Sequence, residues 1–383
     1  VNAANNGDTI FVYNGTYHEN IIEIEKSISL IGEERSSTII LGDGSRTILA
    51  LFADNIQLSQ FTISNGGNMM DACIVIVAKD CRIFDNNIQI SNDMGIALHN
   101  STDCIIENNM ISDCSSVGIR LYEENSENII RNNIIKNNVG AILSETSDNN
   151  LYENNTMESN SYGVLLFYSS SNTFQQNHIL NSENIGIWAY DNSNQNTFKN
   201  NQIETNHIGI QIDESSNNII TDNILSLNTD GIKFMNSIRN TCSSNEISDS
   251  LAGIYLYQSQ NIQIEENLVS ACAKGIYIEE STGNTVKRNQ LTSNEQGVFT
   301  SYAENNLITE NDFVSNFEHA KFTTWLSPTG LQISSWKANY WDDSLGIFPK
   351  IIPGILFIKT NDPIGIFFPW ISIDWNPSST PYH

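Results

Sequence analysis

The sequence of 383 residues is poor in basic residues and in uninterrupted apolar segments. Eighteen Lys and Arg stand against 44 Asp and Glu, which gives a net charge of −26. Nucleic acids and anionic membranes bind through basic surfaces, so this balance argues against both as partners. The most apolar segment, residues 351–375, is interrupted by prolines and charged residues, which argues against membrane insertion.

Proline and charge are also scarce. All seven prolines lie after residue 327, and charged residues make up 16% of the chain, too few for an acidic disordered protein. Asparagine is abundant instead, with 54 residues. It is uncommon inside helices and strands but favours turns and stacked amide ladders. The composition therefore indicates a folded chain with many polar corners.

A glycine followed by an apolar residue recurs every 22 or 23 residues, and each period also contains an Asn-x-apolar motif. Three short alternating segments fill each period, too short for helices and separated by polar corners. The glycines are Gly95, Gly118, Gly140, Gly163, Gly186, Gly209, Gly231, Gly253, Gly275 and Gly297.

A period of this length with three short strands predicts one coil of a parallel β-helix. We therefore predict an all-β solenoid of about 14 coils, with 22–23 residues and three short strands per coil. Residues 1–71 should form irregular coils or a cap, residues 72–313 the regular repeats, and residues 314–383 a non-repetitive Trp- and Pro-rich tail. Inward asparagines should stack at the corners, and the repeat glycines should adopt positive φ there.

Both ends of the chain carry family motifs. The segments 7–20 (GDTIFVYNGTYHEN) and 26–32 (KSISLIG) resemble the opening of right-handed parallel β-helix proteins of the carbohydrate-binding and sugar hydrolase (CASH) class, and of its NosD-like group in particular. The segments 339–343 (NYWDD), 349–354 (PKIIPG) and 369–375 (PWISIDW) are similar to the ends of secreted NosD-like proteins. The resemblance implies a right-handed β-helix that is exported to the periplasm, the cell surface or the extracellular space. It implies little about activity, because this fold hosts many functions.

One face of the solenoid is rich in aromatic residues. Alternate residues of a strand face opposite ways, so the second and fourth residues after each repeat glycine should face solvent. After Gly140, for example, these are Ile142 and Ser144. Eight of the twenty positions are aromatic, against 9% of the chain, and they form what we call the aromatic stripe. The predicted ligand-binding residues are the stripe, Tyr122, Phe167, Trp188, Tyr190, Tyr255, Tyr257, Tyr277 and Phe299, together with Arg120.

Three explanations fit such a stripe. Aromatic faces stack on sugar rings, and in polysaccharide-active β-helix families, which the chain resembles, this sheet forms the substrate groove. The function predicted first is therefore binding of a polysaccharide or another glycan. Alternatively, the apolar tail, residues 345–376, folds back and buries the stripe. In the third explanation the stripe, or the exposed coil ends, mediates self-assembly of a structural or adhesive surface protein.

Enzyme motifs are incomplete, which argues against catalysis. Asn228-Thr-Asp230 matches the first motif of β-helix polygalacturonases, but their Asp-Asp, Gly-His-Gly and Arg-Ile-Lys motifs are absent. A lyase or epimerase needs a base beside a group that neutralises a carboxylate. Asp213 and Lys233, expected to be stacked neighbours, could form such a pair or an ordinary cross-strand ion pair. Asp213, Lys233 and Asp230 are thus the candidate catalytic residues of a hydrolase, lyase or epimerase.

No metal site or cofactor is predicted. The six histidines are scattered, and no Cys-x-x-Cys motif is present. Asp342 and Asp343 could bind Ca²⁺, although adjacent carboxylates are more often a solvated turn. Cys81 and Cys104 occupy the same slot of successive coils, so they could form a disulfide or remain stacked thiols.

Overall fold

The computed structural model describes residues 1–67, 71–327, 330–331, 333–358 and 366–383. The chain divides into two compact units, Val1–Thr197 and Phe198–His383. All named elements of the described residues are β-strands, and no helix among those residues could cross a membrane. The strands form parallel sheets, which we call A, B and C. The fold is a right-handed parallel β-helix of about 14 turns, as the sequence predicts.

In the first unit, successive coils contribute one strand to each sheet, and each strand pairs in parallel with its equivalent one coil later. Sheet A contains β1 (Thr9–Val12), β4 (Ser29–Gly32), β7 (Gln57–Ser59), β10 (Arg82–Phe84), β13 (Ile105–Glu107), β16 (Ile129–Arg131), β19 (Leu151–Glu153) and β22 (Thr173–Gln175). Sheet B contains β2 (Gly15–His18), β5 (Thr38–Leu41), β8 (Thr62–Ser64), β11 (Asn87–Gln89), β14 (Met110–Ser112), β17 (Ile134–Lys136), β20 (Thr156–Glu158) and β23 (His178–Leu180). Sheet C contains β3 (Ile22–Ile24), β6 (Leu49–Leu51), β9 (Ala72–Ile76), β12 (Met94–His99), β15 (Val117–Tyr122), β18 (Gly140–Glu145), β21 (Tyr162–Phe167) and β24 (Ile185–Tyr190).

The second unit repeats this arrangement, after β25 (Thr197–Lys199), which begins at the last residue of the first unit. Sheet A contains β28 (Ile219–Thr221), β31 (Thr241–Ser243), β34 (Gln263–Glu265), β37 (Thr285–Lys287), β40 (Leu307–Thr309) and β44 (Ser335–Lys337). Sheet B contains β26 (Gln202–Glu204), β29 (Ile224–Ser226), β32 (Glu246–Ser248), β35 (Leu268–Ser270), β38 (Gln290–Thr292), β41 (Asp312–Val314) and β45 (Tyr340–Trp341). Sheet C contains β27 (Ile208–Asp213), β30 (Asp230–Met235), β33 (Ala252–Tyr257), β36 (Lys274–Glu279), β39 (Gln296–Ser301), β42 (Glu318–Ser327), β46 (Lys350–Ile358) and β47 (Ile366–Asp374), and β43 (Gly330–Leu331) pairs with the end of β42.

Stacked asparagines line the corners, as the repeat predicts. In the second unit, Asn223 donates its amide nitrogen to Asn245 Oδ1 at 2.9 Å, and Asn245 donates to Asn267 Oδ1 at 3.0 Å. The same ladder continues to Asn311 and Asn339. Each rung also accepts the backbone N–H of the preceding asparagine, so buried amides are satisfied along the solenoid.

The repeat glycines have a different role from the one the sequence suggests. The prediction of positive φ is wrong for them, because positive φ occurs instead at corner residues such as Asn132 and Asn154. The glycines are required by close packing. A Cβ on Gly231 would lie 2.5 Å from the carbonyl oxygen of Gly253 and 2.7 Å from Ile247 Cγ2.

Gly140 is one residue out of step with the other repeat glycines. It pairs with Val117 rather than with Gly118, so Ile142 and Ser144 are fully buried and not on the outer face as predicted. Leu143 and Glu145 take the outer positions in that strand. The interval of 22 residues between Gly118 and Gly140 conceals the shift, because 22 is also an ordinary repeat length.

The tail begins with one more coil and ends in a hairpin. β44 pairs with β40 and β45 pairs with β41, so the coils continue beyond the last recognisable repeat. Trp341 fills the core position of an aliphatic residue and stacks on Phe313, with ring centroids 4.1 Å apart. β46 then pairs in parallel with β42, and β47 pairs antiparallel with β46.

Candidate functional site

The outer face of sheet C carries three rows of side chains rather than the two expected. In β36, for example, Lys274 is partly exposed, the next two residues are buried, and Tyr277 and Glu279 are again partly exposed. The alternation is interrupted at the repeat glycine, which is left out of the strand pairing. The residue before the glycine therefore joins the second and fourth residues after it on the outer face, except in β18, where Gly140 itself takes that place.

In the first unit, the predicted binding residue Arg120 is already paired. Its Nη2 lies 2.8 Å from Glu145 Oε2, on the neighbouring strand. Its guanidinium also lies 5.0 Å from the ring centroid of Tyr122, whose other neighbour is the His99 ring at 4.6 Å. Burial raises the pKa of Tyr122. Glu145 is absent from the sequence-based candidates because of the shifted position of Gly140.

Three more predicted residues of the first unit form one aromatic cluster. Trp188 and Tyr190 lie 4.5 Å apart between ring centroids, and Tyr190 lies 5.0 Å from Phe167. Tyr162, which precedes a repeat glycine, adds a fourth ring 6.2 Å from Trp188. The rings are half-buried by one another, so this cluster presents an apolar surface with a mixture of ring orientations.

In the second unit, three predicted residues form a regular stack. Tyr255 and Tyr277 lie 4.8 Å apart with their rings within 5° of parallel, and Tyr277 and Phe299 lie 5.2 Å apart within 13°. We call these three residues the Tyr277 stack. Its parallel rings follow from three successive in-register strands, β33, β36 and β39, which place equivalent residues one strand spacing apart. Tyr257 lies on the same face of β33 and is partly exposed.

Polar groups surround the Tyr277 stack. The hydroxyl of Tyr255 donates to Glu279 Oε2 at 2.5 Å. Burial raises the pKa of both Tyr255 and Tyr277, and the negative charge of Glu279 raises both further. Lys274 places its Nζ 3.7 Å from the ring centroid of Tyr277 and 4.9 Å from that of Phe299.

Asp213 and Lys233 lie on neighbouring strands but not directly opposite each other. Lys233 lies opposite Gln211, and Asp213 lies opposite Met235. Lys233 pairs with Asp230 of its own strand, with Nζ 3.4 Å from Oδ2. Its Nζ also lies 5.1 Å from the ring centroid of Tyr255. Asp230 and Lys233 therefore border the Tyr277 stack.

The described part of the tail extends sheet C at its edge. Because β46 is the next strand after β42, the hairpin continues the sheet in its own plane. The partial exposure of Tyr255, Tyr277 and Phe299 on β33, β36 and β39 agrees with this arrangement. The hairpin itself has exposed apolar residues, including Phe367 at 64% and Ile371 at 52%.

A second cluster of polar residues lies in the tail. His319 Nε2 lies 2.9 Å from Asp342 Oδ1 and 3.5 Å from Asp343 Oδ1. Lys350 Nζ contacts both oxygens of Asp343, at 2.5 and 2.6 Å. These residues line a concave site of about 440 Å³ together with Trp341. Burial lowers the pKa of His319, although both carboxylates oppose this.

The amide of Asn316 determines which ring nitrogen of His319 carries the proton. Its oxygen accepts two hydrogen bonds from Asn294 at 2.9 Å, so its nitrogen faces His319 Nδ1 at 3.4 Å. Nδ1 is then the acceptor of the neutral ring, and Nε2 carries the proton that is donated to Asp342. The sequence pointed to Asp342 and Asp343 but offered no signal for His319, which is 23 and 24 residues from them and outside the repeat.

The family model described as periplasmic copper-binding protein (NosD) matches residues 1–188 and 181–346. The chain belongs to the NosD family. No curated protein matches the sequence. The family membership agrees with the resemblance of the two chain ends and with the β-helix fold.

Several solved structures share the fold of this NosD-family chain. A mutant tailspike protein of E. coli bacteriophage HK620 aligns with a TM-score of 0.61 and 11% identity, over 82% of this chain and 71% of that one. The Dettilon tailspike protein aligns with a TM-score of 0.53 and 14% identity, over 78% and 62%. A mutant of the periplasmic alginate epimerase AlgG aligns with a TM-score of 0.52 and 13% identity, over 86% and 84%. At these identities the likeness is one of fold.

The family description names copper, and soft sulfur ligands suit copper(I). All six cysteines are buried thiols, Cys81 and Cys104 included. Burial raises the pKa of Cys272 to about 11, whereas a hydrogen bond with Cys104 lowers the pKa of Cys81. Among the described residues, the three-membered group with ligand atoms within 4.8 Å of one another contains one imidazole and two carboxylates. In this group, Nε2 of His319 carries a proton and Lys350 already neutralises Asp343. Calcium binding at Asp342 and Asp343 stays a prediction.

Proposed function

We propose that this chain is an exported protein that binds a polysaccharide on the outer face of sheet C, with the Tyr277 stack as the central contact. The observation that carries the proposal is the three parallel rings of Tyr255, Tyr277 and Phe299. Core aromatic residues such as Phe313 are fully buried, whereas these stacked rings are partly exposed. A row of parallel rings at strand spacing suits a chain molecule that lies across successive strands.

The chemistry around the rings also suits a sugar. A pyranose presents an apolar face and a rim of hydroxyls, and it needs an aromatic platform with polar groups at the edge. Asp230, Lys233, Lys274 and Glu279 supply donors and acceptors around the Tyr277 stack. Periplasmic location, as the family description gives it, agrees with export.

A glycan array followed by titration calorimetry tests this function. We expect selective binding by the wild type and at least ten-fold weaker binding by Tyr255→Ala/Tyr277→Ala, since each stacked ring contributes about 1 kcal/mol. Tyr13→Ala is the matched control, because Tyr13 is an exposed tyrosine outside sheet C. Absence of binding to every glycan, or unchanged binding by the double variant, would overturn the proposal.

Self-assembly is a second candidate function, favoured by the tail hairpin. β47 pairs along its whole length with β46 and, among the described residues, with no other strand. The described residues 351–358 and 366–373 contain no charged side chain, and Phe367, Phe368, Trp370 and Ile371 are at least 40% exposed. A second copy of this chain fits such an edge, because an uncharged strand can pair antiparallel with itself in a chain that carries a net charge of −26.

Sedimentation velocity over a range of concentrations tests this candidate. A dimer of the wild type should dissociate in Phe367→Glu/Ile371→Glu and persist in Ile224→Glu/Leu251→Glu. The control residues are similarly exposed apolar side chains elsewhere in the second unit, at 50% and 62%. A wild type that stays monomeric at all concentrations would exclude assembly through the hairpin.

A further inference from the structure

Lys274 differs from the other lysines on the outer face of sheet C. Lys233 pairs with Asp230 at 3.4 Å, and Lys321 pairs with Glu318 at 3.3 Å. Lys274 has no carboxylate within 4.0 Å and no hydrogen-bond acceptor among the residues that the structure describes. Its ammonium group lies instead over Tyr277 and Phe299.

The charge of Lys274 is held in a partly desolvated place. Burial lowers its pKa, while the more distant charges of Glu279 and Asp230 raise it. Removing an ammonium from water without a paired anion is unfavourable, and a cation–π contact offsets only part of that cost. Such an arrangement is expected where a ligand supplies the missing anion.

Two further lysines lie at the ends of the row that contains the Tyr277 stack. The register places Lys233 next to Tyr255 and Lys321 next to Phe299 in that row. Lys274 lies in the adjoining row of the same face, opposite Gln296, and reaches over Tyr277 and Phe299. The three lysines therefore surround the Tyr277 stack in a chain that has only 18 basic residues. A polyanion that lies across these strands would meet all three cations.

We propose that the glycan bound by the Tyr277 stack is an acidic polysaccharide, and that Lys274 binds the anionic substituent of the sugar that lies across the Tyr277 stack. The inference rests on the proposed glycan-binding function and names the class of its ligand. Lys233 and Lys321 keep their own acidic partners and contribute less, because each would have to exchange an internal ion pair for the ligand. The acidic groups at Asp230, Glu279 and Glu318 keep the face close to neutral, which limits non-specific binding of polyanions.

The test compares matched polymers that differ only in charge. Polygalacturonate and its carboxyl-reduced form test a carboxylate, and dextran sulfate and dextran test a sulfate. We expect the wild type to bind one acidic polymer at least ten-fold more tightly than its neutral counterpart. Lys274→Met should lose this preference while binding the neutral polymer as before, and Lys274→Arg should retain it. Lys337→Met, which removes an exposed lysine from β44, should behave as the wild type.

The outcomes separate this inference from the proposed function. Equal binding of charged and neutral polymers, abolished by Tyr277→Ala, would overturn the role of Lys274 and leave glycan binding in place. Unchanged preference in Lys274→Met would also overturn that role. Absence of binding to all four polymers, together with a negative glycan array, would overturn both. Thermal unfolding of each variant identifies any loss that comes from misfolding.

Discussion

Asp374 accepts hydrogen bonds from both the backbone and the side chain of Asn339, at 3.0 and 3.1 Å from the same oxygen. Asn339 is the last rung of an asparagine ladder in the second unit, and every earlier rung donates in the same two ways to the next asparagine. The carboxylate on β47 therefore occupies the place of one further rung. It also accepts from Trp341 Nε1 at 3.3 Å and is completely buried.

This relationship predicts that the tail hairpin stabilises the end of the solenoid. Asp374→Ala would leave the backbone N–H of Asn339 and the Trp341 indole without their acceptor, so we expect a loss of about 2–4 kcal/mol in the free energy of unfolding. Asp374→Asn should lose less, because its oxygen can still accept. Urea unfolding measures both, and Asp43→Ala is the control, since Asp43 accepts two bonds from Ser45 at an exposed turn. Equal midpoints for Asp374→Ala and the wild type would contradict this role.

A pair of glycine substitutions tests the account of the repeat. Gly231→Ala would place a Cβ 2.5 Å from the Gly253 carbonyl oxygen, so we expect a destabilisation of about 1–3 kcal/mol. Gly140→Ala would find its nearest neighbour at 3.6 Å, at a backbone conformation that alanine tolerates. That variant should be neutral or slightly more stable than the wild type. Thermal unfolding should therefore give a clearly lower midpoint for Gly231→Ala than for Gly140→Ala. Similar midpoints would refute close packing as the reason for glycine in the repeat.

The sequence predicts the coil, the ladder and the position of the stripe because each depends on a regular spacing. Tyr255, Tyr277 and Phe299 come together because their strands are 22 residues apart and in register. Lys274 was missed because simple alternation places it inside, and the interruption at the glycine moves it outside. A sequence signal did exist, since four of the six residues at that position in the second unit are polar, namely Asp230, Lys274, Gln296 and Glu318.

Features outside the repeat could not be predicted in this way. The last coil places Asn339 28 residues after Asn311, so the ladder continues across a change of spacing that hides it. The contacts of His319 with Asp342 and Asp343 depend on how the last strands return to the solenoid. Residue pairing there comes from tertiary packing, on which the sequence of a single chain carries no periodic signal.

A buried carboxylate on sheet A of the first unit predicts a dependence of stability on pH. Glu107, with 4% of its side chain exposed, contacts Arg82 and Arg131, the latter at 2.7 Å. Burial raises its pKa, but the two arginines outweigh burial and hold the pKa below the ordinary 4.5. The stabilisation is therefore present above pH 4.5 and is lost as the pH falls through the lowered pKa of the folded state.

Glu107→Gln should remove that dependence. We expect the variant to lose about 2–4 kcal/mol at pH 7, because two arginines lose their buried counter-charge. Its free energy of unfolding should also fall less than that of the wild type between pH 4.5 and pH 3. Urea unfolding at several pH values measures this difference, and parallel curves for the two proteins would contradict the assignment.

Lys274 should reduce the stability of the folded protein if its charge is kept for a ligand. Because burial lowers its pKa in the folded state, the unfolded chain binds the proton more readily between that pKa and 10.5. The free energy of unfolding should then rise with pH over this window. Lys274→Met removes the unpaired ammonium, so we expect a higher urea midpoint at neutral pH and a weaker pH dependence as the pH approaches 10.5. Lys337→Met should change neither quantity. If Lys274 weakens the fold but strengthens binding of an acidic glycan, it shows the trade-off between stability and function that is expected of a binding site. A lower urea midpoint for Lys274→Met than for the wild type would instead make the ammonium a structural group.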